Sequence, residues 1–239
     1  MTTNKPQNGR DRMTHKVCYI SQTGNVAKST QCYGMAVEAL NNGLKVKVVD
    51  LDREHRTISE FSEMRDEMGL EPSLDVYSAE NAQDALRAGE GEGLNLILID
   101  CPSRASAATV AVAEGCDLVV QPTTTGKKDL DLALNTFAQL LKKGVPKSKL
   151  LFVLTRVGSA SEMRKAIEYI KSAEAEPETE DEVPVKYDFE VLSSALWEKL
   201  AYRSSMNDGF SIVETPYVTL NDAAKSVIHQ TLTFCMRNV

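Results

Sequence analysis

The sequence predicts a three-layer α/β fold, in which helices cover both faces of a doubly wound, mostly parallel sheet. Short apolar runs rich in β-branched residues alternate regularly with helix-like stretches, and the first run leads through a short polar loop straight into a helix. A length of 239 residues suits one domain with a full core. We therefore expect a flexible polar tail over residues 1–15 and a single domain over residues 16–239.

The elements follow from where these runs begin and end. Strands are expected at residues 16–21, 45–50, 95–100, 118–121, 150–155 and 187–191. Helices are expected at residues 28–42, 59–68, 79–88, 105–113, 128–143, 161–173, 194–204 and 220–237. One segment breaks the alternation: residues 173–184 carry six acidic side chains and two prolines. Such a run repels itself, so it predicts a solvated loop at the edge of the sheet, with docking of a basic partner as the alternative.

Composition excludes several classes of protein. The chain is 42% hydrophobic and 26% charged, which is typical of a globular domain. Its formal net charge of -7 opposes a uniform attraction to DNA or anionic lipid. The five cysteines, at positions 18, 32, 101, 116 and 235, form no Cys-x-x-Cys pair and predict buried, reduced thiols. Neither a membrane span nor a signal peptide is recognisable, so we expect a cytoplasmic protein.

The loop after the first strand, Gln-Thr-Gly-Asn-Val-Ala-Lys-Ser-Thr at residues 22–30, carries the first chemical signal. A loop in this position directs backbone N–H groups and the positive end of a helix dipole at a triphosphate. Lys28 suits the β- and γ-phosphates, Ser29 suits Mg²⁺, and Thr30 suits the α-phosphate. The loop departs from G-x-x-x-x-G-K-[ST], because Gln22 and Ala27 replace its glycines. The residues expected to contact ATP are Gly24, Asn25, Val26, Ala27, Lys28, Ser29 and Thr30.

Carboxylates follow two further strands of the predicted sheet. Asp50 ends the second predicted strand and Asp52 follows two residues later, and Asp100 ends the third predicted strand. Ligands of open α/β sheets bind at these carboxyl ends. Asp100 suits the acid that holds Mg²⁺ through a water, together with the hydroxyl of Ser29. Asp52 is expected to orient the attacking water, and Asp50 to support the water shell of the metal.

These motifs together resemble those of the ParA/MinD ATPases, a family of Rossmann-like P-loop NTPases. Residues 21–30 resemble their deviant Walker A loop, residues 50–52 their A′ motif and residues 99–102 their Walker B motif. Residues 116–122 and 207–212 extend the likeness over most of the chain from residue 16 onward. The tripeptide Gly-Asn-Val at residues 24–26 is particularly similar to the loop sequence of the StbB-like branch, whose members are encoded by conjugative plasmids.

The resemblance implies an ATP-driven dimerisation switch that acts with ATP and Mg²⁺. A homodimer would enclose two ATP molecules, and hydrolysis would release the subunits. Lys28 and Asp52 would be the catalytic residues, and a protein of a partition, positioning or conjugative-transfer system would be the partner.

One departure from the family pattern concerns the lysine that reaches across the dimer, because it maps onto the uncharged Thr23. Charged residues after the predicted strand ends are candidates to replace it: Arg53, Arg104, Lys127 and Lys128. Ala27 restricts the loop where it curls around phosphate. Both departures predict slow or partner-stimulated hydrolysis.

Several alternatives remain open from the sequence. An ATP-dependent metabolic ligase of the dethiobiotin-synthetase type would need a substrate pocket, and a nucleotide-binding scaffold would have lost hydrolysis. The three histidines, His15, His55 and His229, have no metal or triad spacing, and the latter two are interpreted as surface or helix-face residues. DNA binding depends on local basic residues: a concentration at Lys142, Lys143, Lys147 and Lys149, which also suits a solvated turn, or an arm formed by Lys5, Arg10, Arg12 and Lys16.

Overall fold

The computed structural model describes residues 14–104, 106–175 and 185–237, which form a seven-stranded parallel sheet between two layers of helices. The strands are β1 (His15–Tyr19), β2 (Val46–Asp50), β3 (Val76–Ser78), β4 (Leu96–Asp100), β5 (Leu118–Thr123), β6 (Leu150–Leu154) and β7 (Glu190–Val191). The helices are α1 (Lys28–Asn41), α2 (Thr57–Glu67), α3 (Ala82–Arg87), α4 (Ala107–Gly115), α5 (Lys127–Lys142), α6 (Ala160–Ser172), α7 (Leu200–Asn207) and α8 (Val218–Arg237). The predicted fold class is confirmed.

The core lies in two layers because successive side chains of a strand point to opposite faces of the sheet. Val17 and Tyr19 of β1 pack into the layer under α1, α2, α7 and α8. Cys18, between them, packs into the layer under α3, α4, α5 and α6. All five cysteines are buried free thiols, as predicted. Within the described residues, no helix combines the length and the apolar character that crossing a membrane requires.

The strand order β3-β2-β4-β1-β5-β6-β7 places the motifs predicted after β1, β2 and β4 together at the carboxyl ends of three neighbouring strands. Asp100 of β4 lies in register with Tyr19 of β1 on one side and with Asp50 of β2 on the other. The segments that follow these three strands therefore leave the sheet side by side. This edge carries the candidate site.

The structure differs from the prediction at β3 and at the start of α7. The strand β3 was missed, because its three residues at the sheet edge are too few and too exposed for an apolar run. The helix predicted at residues 194–204 is wrong in its first half, since α7 begins only at Leu200. Residues 194–199 run beside the end of β6 instead, where Leu196 N donates to Leu154 O and Val157 N donates to Leu196 O. These backbone pairs outweigh the local helix pattern.

The last strand is shorter than predicted. β7 contains only Glu190 and Val191 of the expected residues 187–191. Tyr187 N donates to Ala173 O, and Ala175 N donates to Val185 O, so the two flanks of the acidic segment pair with each other. Residues 176–184 of that segment lie outside the described residues, as does most of the predicted tail, and β1 begins at His15.

A buried arginine joins α2 to the segment that precedes α8. Arg65 is fully buried, and its Nη1 and Nη2 each donate to a carboxylate oxygen of Glu214 at 2.8 Å. The remaining donors reach the backbone oxygens of Glu71, Pro72 and Gly209. Burial raises the pKa of Glu214, but the hydrogen bonds from Arg65 and the backbone N–H of Ser211 outweigh it and lower the pKa.

This pair predicts a loss of stability in acid. A carboxyl whose folded pKa lies below its unfolded value stabilises the fold fully above the unfolded pKa, about 4.3 for glutamate, and loses that contribution as pH falls through the folded pKa. We expect the free energy of unfolding to fall more steeply below about pH 4.3 in the wild type than in Glu214→Gln. Urea unfolding of both proteins from neutral pH to pH 3 measures this. Equal slopes would contradict the prediction.

Candidate functional site

The centre of the site is a buried carboxylate with two partners from the start of α1. Asp100 is fully buried at the end of β4. Its Oδ1 lies 2.6 Å from Lys28 Nζ, and its Oδ2 accepts a hydrogen bond of 2.6 Å from Ser29 Oγ. Three residues that the sequence assigned to phosphate and metal therefore meet at one point.

Electrostatics keep this centre charged. Burial lowers the pKa of Lys28, but the charge and hydrogen bond of Asp100 outweigh it, so that the pKa is raised and the ammonium form persists. Burial raises the pKa of Asp100, whereas Lys28 and the Ser29 hydroxyl act in the opposite direction, and the neighbouring charge of Asp50 adds to the increase. The pKa of Asp100 is raised as a result, and the ammonium group of Lys28 is its counter-charge at 2.6 Å.

The loop before α1 leads into a helix start whose first backbone N–H groups have no partner within the helix. Ala27 has a left-handed backbone, with φ of 60° and ψ of 31°, and no side chain caps the helix that follows. Asn25 is also left-handed, with φ of 62°. The first intrahelical bond is donated by Gln31 N to Ala27 O, so the preceding N–H groups of the helix start have no partner in the helix. Such a helix start favours anions.

Two residues that follow β6 donate hydrogen bonds to backbone oxygens of this loop, and the sequence analysis did not predict them. Thr155 Oγ1 donates to Val26 O at 3.1 Å and lies within 3.3 Å of Thr123 O. Arg156 Nη1 donates to Asn25 O at 3.3 Å, while its Nε donates to Glu198. Thr155 and Arg156 directly follow a buried strand at the site edge, which is the one signal that would have found them.

The two carboxylates after β2 have different surroundings. Asp50 Oδ1 accepts from Asp52 N, and its Oδ2 accepts from the backbone N–H and the hydroxyl of Ser59. Asp50 thus holds the start of α2, and its role in the metal's water shell stays a prediction. Asp52 lines the same cavity as the loop, and its Oδ1 lies 3.1 Å from His55 Nδ1. The sequence reasoning had placed His55 on the surface, outside any site.

Two cavities meet at the loop. One of about 380 Å³ is lined by residues 23–30 together with Asp52, His55, Thr57 and Ser103. The other, of about 220 Å³, adjoins Asn25, Ala27 and Thr30 and is lined on its far side by residues of α7 and of the segments on either side of it, among them Trp197, Tyr202 and Ile212. No local sequence pattern indicates this second cavity, because its walls come from segments that are distant in the chain.

The candidate replacements for the missing lysine lie on the surface. Arg53 and Lys128 are exposed. Arg104 pairs with Glu54 at 2.9 Å, and Lys127 pairs with Asp131 at 2.7 Å. None of these four residues lines either cavity at the loop. Their role across a dimer therefore stays a prediction.

The lysine concentration lies at the other end of β6, away from the loop. Lys142, Lys143 and Lys147 are exposed there. Lys149 donates instead to Cys116 O at 2.8 Å. Binding of DNA at these lysines stays a prediction.

Replacing Ala27 by glycine is expected to stabilise the protein by about 1 kcal/mol, because a left-handed conformation costs an L-residue about 1–2 kcal/mol and costs glycine little. Urea unfolding measures the change. Ala111→Gly, inside α4, is the control and should destabilise the protein by about 1 kcal/mol. If both variants lose stability equally, the loop conformation is wrong.

Comparison with known proteins gives this geometry a context. The chain is 26% identical over 128 residues to "Protein virC1" of Rhizobium radiobacter, a match that spans 52% of this chain and 55% of that relative's length. The structure resembles the septum site-determining protein MinD of Pyrococcus horikoshii complexed with Mg-ADP, with a TM-score of 0.70, 16% identity, and coverage of 95% of this chain and 99% of that one.

A second solved structure is a putative plasmid partition protein of Borrelia burgdorferi bound to AMPPNP. Its TM-score is 0.64 and its identity is 15%, with coverage of 91% of this chain and 99% of that one. At such identities these likenesses establish the fold. The family profile described as the CobQ/CobB/MinD/ParA nucleotide binding domain matches residues 17–196. Because that range is well over half of the chain, the protein belongs to the CobQ/CobB/MinD/ParA nucleotide binding domain family.

Proposed function

We propose that the protein is a ParA-like ATPase, which binds ATP with Mg²⁺ at the loop before α1 and uses hydrolysis to control its dimerisation. The observation that carries the proposal is the meeting of Lys28 and Ser29 on the buried carboxylate of Asp100, each at 2.6 Å. A lysine and a hydroxyl at the start of an uncapped helix, together with a carboxylate at the end of a neighbouring strand, are the groups that hold a nucleoside triphosphate and its metal.

The loop and the first turn of α1 would bind the phosphates. The N–H groups of residues 24–30 and the dipole of a 14-residue helix favour a polyanion. Lys28 is charged and within reach of the cavity, so it would exchange its contact with Asp100 for the β- and γ-phosphates. The cavity of about 220 Å³ beside Asn25 and Thr30 would hold the nucleoside, with Trp197 in its wall.

The oxygen donors at the site suit Mg²⁺, a hard cation that prefers carboxylate, hydroxyl and phosphate oxygens. Ser29 Oγ and Asp100 Oδ2 lie 2.6 Å apart, so these two residues would hold the ion together. When bound, Mg²⁺ would neutralise charge on the phosphate oxygens. Asp50 would contribute only indirectly, because both of its oxygens already accept hydrogen bonds from the protein.

Hydrolysis would depend on Asp52. In the described part of the chain, its Oδ2 accepts no hydrogen bond from protein, and its side chain is 8% exposed in the cavity that contains Lys28 and Ser29. A carboxylate in this position can accept a proton from, or orient, an attacking water. Because Thr23 has no charge, a cation from a second subunit or a partner would be required for fast turnover.

Phosphate release from ATP tests the enzymatic part of the proposal. The wild type should release phosphate slowly and only with Mg²⁺, and Asp52→Ala should lower the rate about 100-fold, the range in which a general base contributes. Asp222→Ala, an exposed aspartate of α8, is the matched control. Binding without turnover, with or without a partner, would favour a scaffold that has lost hydrolysis.

The switch part of the proposal concerns assembly. A homodimer should form with a non-hydrolysable ATP analogue and dissociate with ADP, and light scattering after size-exclusion chromatography measures its mass. The protein partner would belong to a partition, positioning or conjugative-transfer system, and the similarity to a septum site-determining protein and to a plasmid partition protein supports the first two. A monomer with both nucleotides would contradict the switch and leave nucleotide binding intact.

A further inference from the structure

Among the described residues, the two carboxylate oxygens of Asp52 differ in their hydrogen bonds. Its Oδ1 accepts from the backbone N–H of His55 at 3.2 Å and lies 3.1 Å from the ring Nδ1 of the same residue. Its Oδ2 has no hydrogen-bond donor among the residues that the structure describes, and it shares a cavity with Lys28 and Ser29. One residue therefore determines which way this carboxylate faces.

We propose that His55 is a positioning residue for the hydrolytic reaction: it binds Asp52 Oδ1 and thereby keeps Oδ2 directed at the attacking water. The inference rests on the proposed function, because it gives Asp52 its water-orienting role. An ionised carboxylate only accepts hydrogen bonds, so the ring must carry its proton on Nδ1. In this role His55 acts through Asp52 and not on the reacting atoms.

The backbone between β2 and α2 brings the two residues together. Asp52 N donates to Asp50 Oδ1, and Arg56 N donates to Asp52 O at 2.8 Å, which closes a tight turn over residues 52–56. Arg56 completes the turn in a left-handed conformation with φ of 48° before α2 begins. This turn fixes the His55 backbone N–H on Oδ1, and the ring adds a second donor to the same oxygen.

The exposure of the ring separates this role from packing. The side chain of His55 is 61% exposed, whereas that of Asp52 is 8% exposed. A ring that is mostly in water stabilises the core little, so its removal should not unfold the protein. Two of the other charged residues of the turn pair elsewhere: Glu54 with Arg104 and Arg56 with Glu63, each at 2.9 Å.

Steady-state phosphate release and equilibrium ATP binding test the role in four variants. His55→Ala should lower kcat about 10-fold and leave the dissociation constant of ATP within about 2-fold, since a misoriented catalytic group slows turnover without weakening substrate binding. His55→Asn should recover most of the rate, because its Nδ2 can donate from nearly the same position as Nδ1. His55→Gln, whose donor lies one bond farther out, should not. In an Asp52→Ala background, His55→Ala should have no further effect.

The ring tautomer gives a readout that needs neither nucleotide nor turnover. The chain has three histidines, so ¹⁵N NMR can resolve the ring nitrogens of His55. We expect Nδ1 to be protonated in the wild type and this tautomer to be lost in Asp52→Ala. The same tautomer in both proteins, or an equal loss of rate on removal of His55 with and without Asp52, would overturn the role.

Failure of the two proposals can be told apart. A wild type that releases no phosphate overturns the proposed ATPase and the positioning role together. A wild type that hydrolyses ATP at a rate that His55→Ala leaves unchanged overturns the positioning role alone.

Discussion

Replacing Lys28 by alanine is expected to weaken Mg-ATP binding about 10- to 100-fold, because a hydrogen bond to a charged group contributes about 1.5–3 kcal/mol. The same change should destabilise the fold by about 3–5 kcal/mol, since Asp100 is fully buried and loses its counter-charge. Isothermal titration of ATP measures the first effect and urea unfolding the second. The first effect is the loss of the contact between Lys28 and phosphate, and the second is the loss of its 2.6 Å contact with Asp100.

A second variant separates the two effects of Lys28. The double variant Lys28→Ala with Asp100→Asn removes both charges, so it should regain part of the lost stability without regaining binding. Lys143→Ala, an exposed lysine far from the loop, should change neither quantity. If Lys28→Ala bound ATP as tightly as Lys143→Ala, the phosphate-binding role of Lys28 would be wrong.

Replacing Arg65 by methionine is expected to destabilise the protein by about 3–5 kcal/mol, which is comparable to the loss from breaking a buried ion pair. Arg65 uses its guanidinium on Glu214 and on three backbone oxygens while fully buried. Arg65→Lys should lose much of the same stability, because an ammonium cannot reproduce the planar fork. Urea midpoints measure both variants.

The control for Arg65 lies on the same helix. Glu63 pairs with Arg56 at 2.9 Å, but both side chains are more than half exposed. Glu63→Gln should therefore change the stability by less than about 1 kcal/mol. Equal urea midpoints for Arg65→Met and Glu63→Gln would show that Arg65 does not join α2 to the segment before α8.

The sequence was sufficient for the fold class and for the proximity of the main site residues. Lys28, Ser29 and Asp100 carry local signals, because each directly follows a strand or begins a helix, and parallel strands bring such positions to one edge. Their contact in the structure confirms that proximity, whereas their roles in binding and hydrolysis stay predictions.

The remainder depends on contacts that no local pattern encodes. Thr155 supports the loop across 129 residues of sequence, and the partner of Arg65 is 149 residues away. The local sequence around His55 is typical of an exposed turn, and only the fold of this turn places its ring beside the carboxylate of Asp52. The segment at residues 194–199 has a helix pattern, yet backbone pairing with the end of β6 decides its conformation.

Equilibrium titration of ATP into the wild-type protein, with and without Mg²⁺, tests the central claim most directly. Lys28, Ser29 and Asp100 predict one ATP per chain, bound more tightly with Mg²⁺ because the cation would neutralise phosphate charge beside the Asp100 carboxylate. Fluorescence of Trp197, the single tryptophan of the chain and part of the neighbouring cavity, should change as the site fills. A wild-type protein that binds no ATP at millimolar concentration with Mg²⁺ would contradict the assignment of this site.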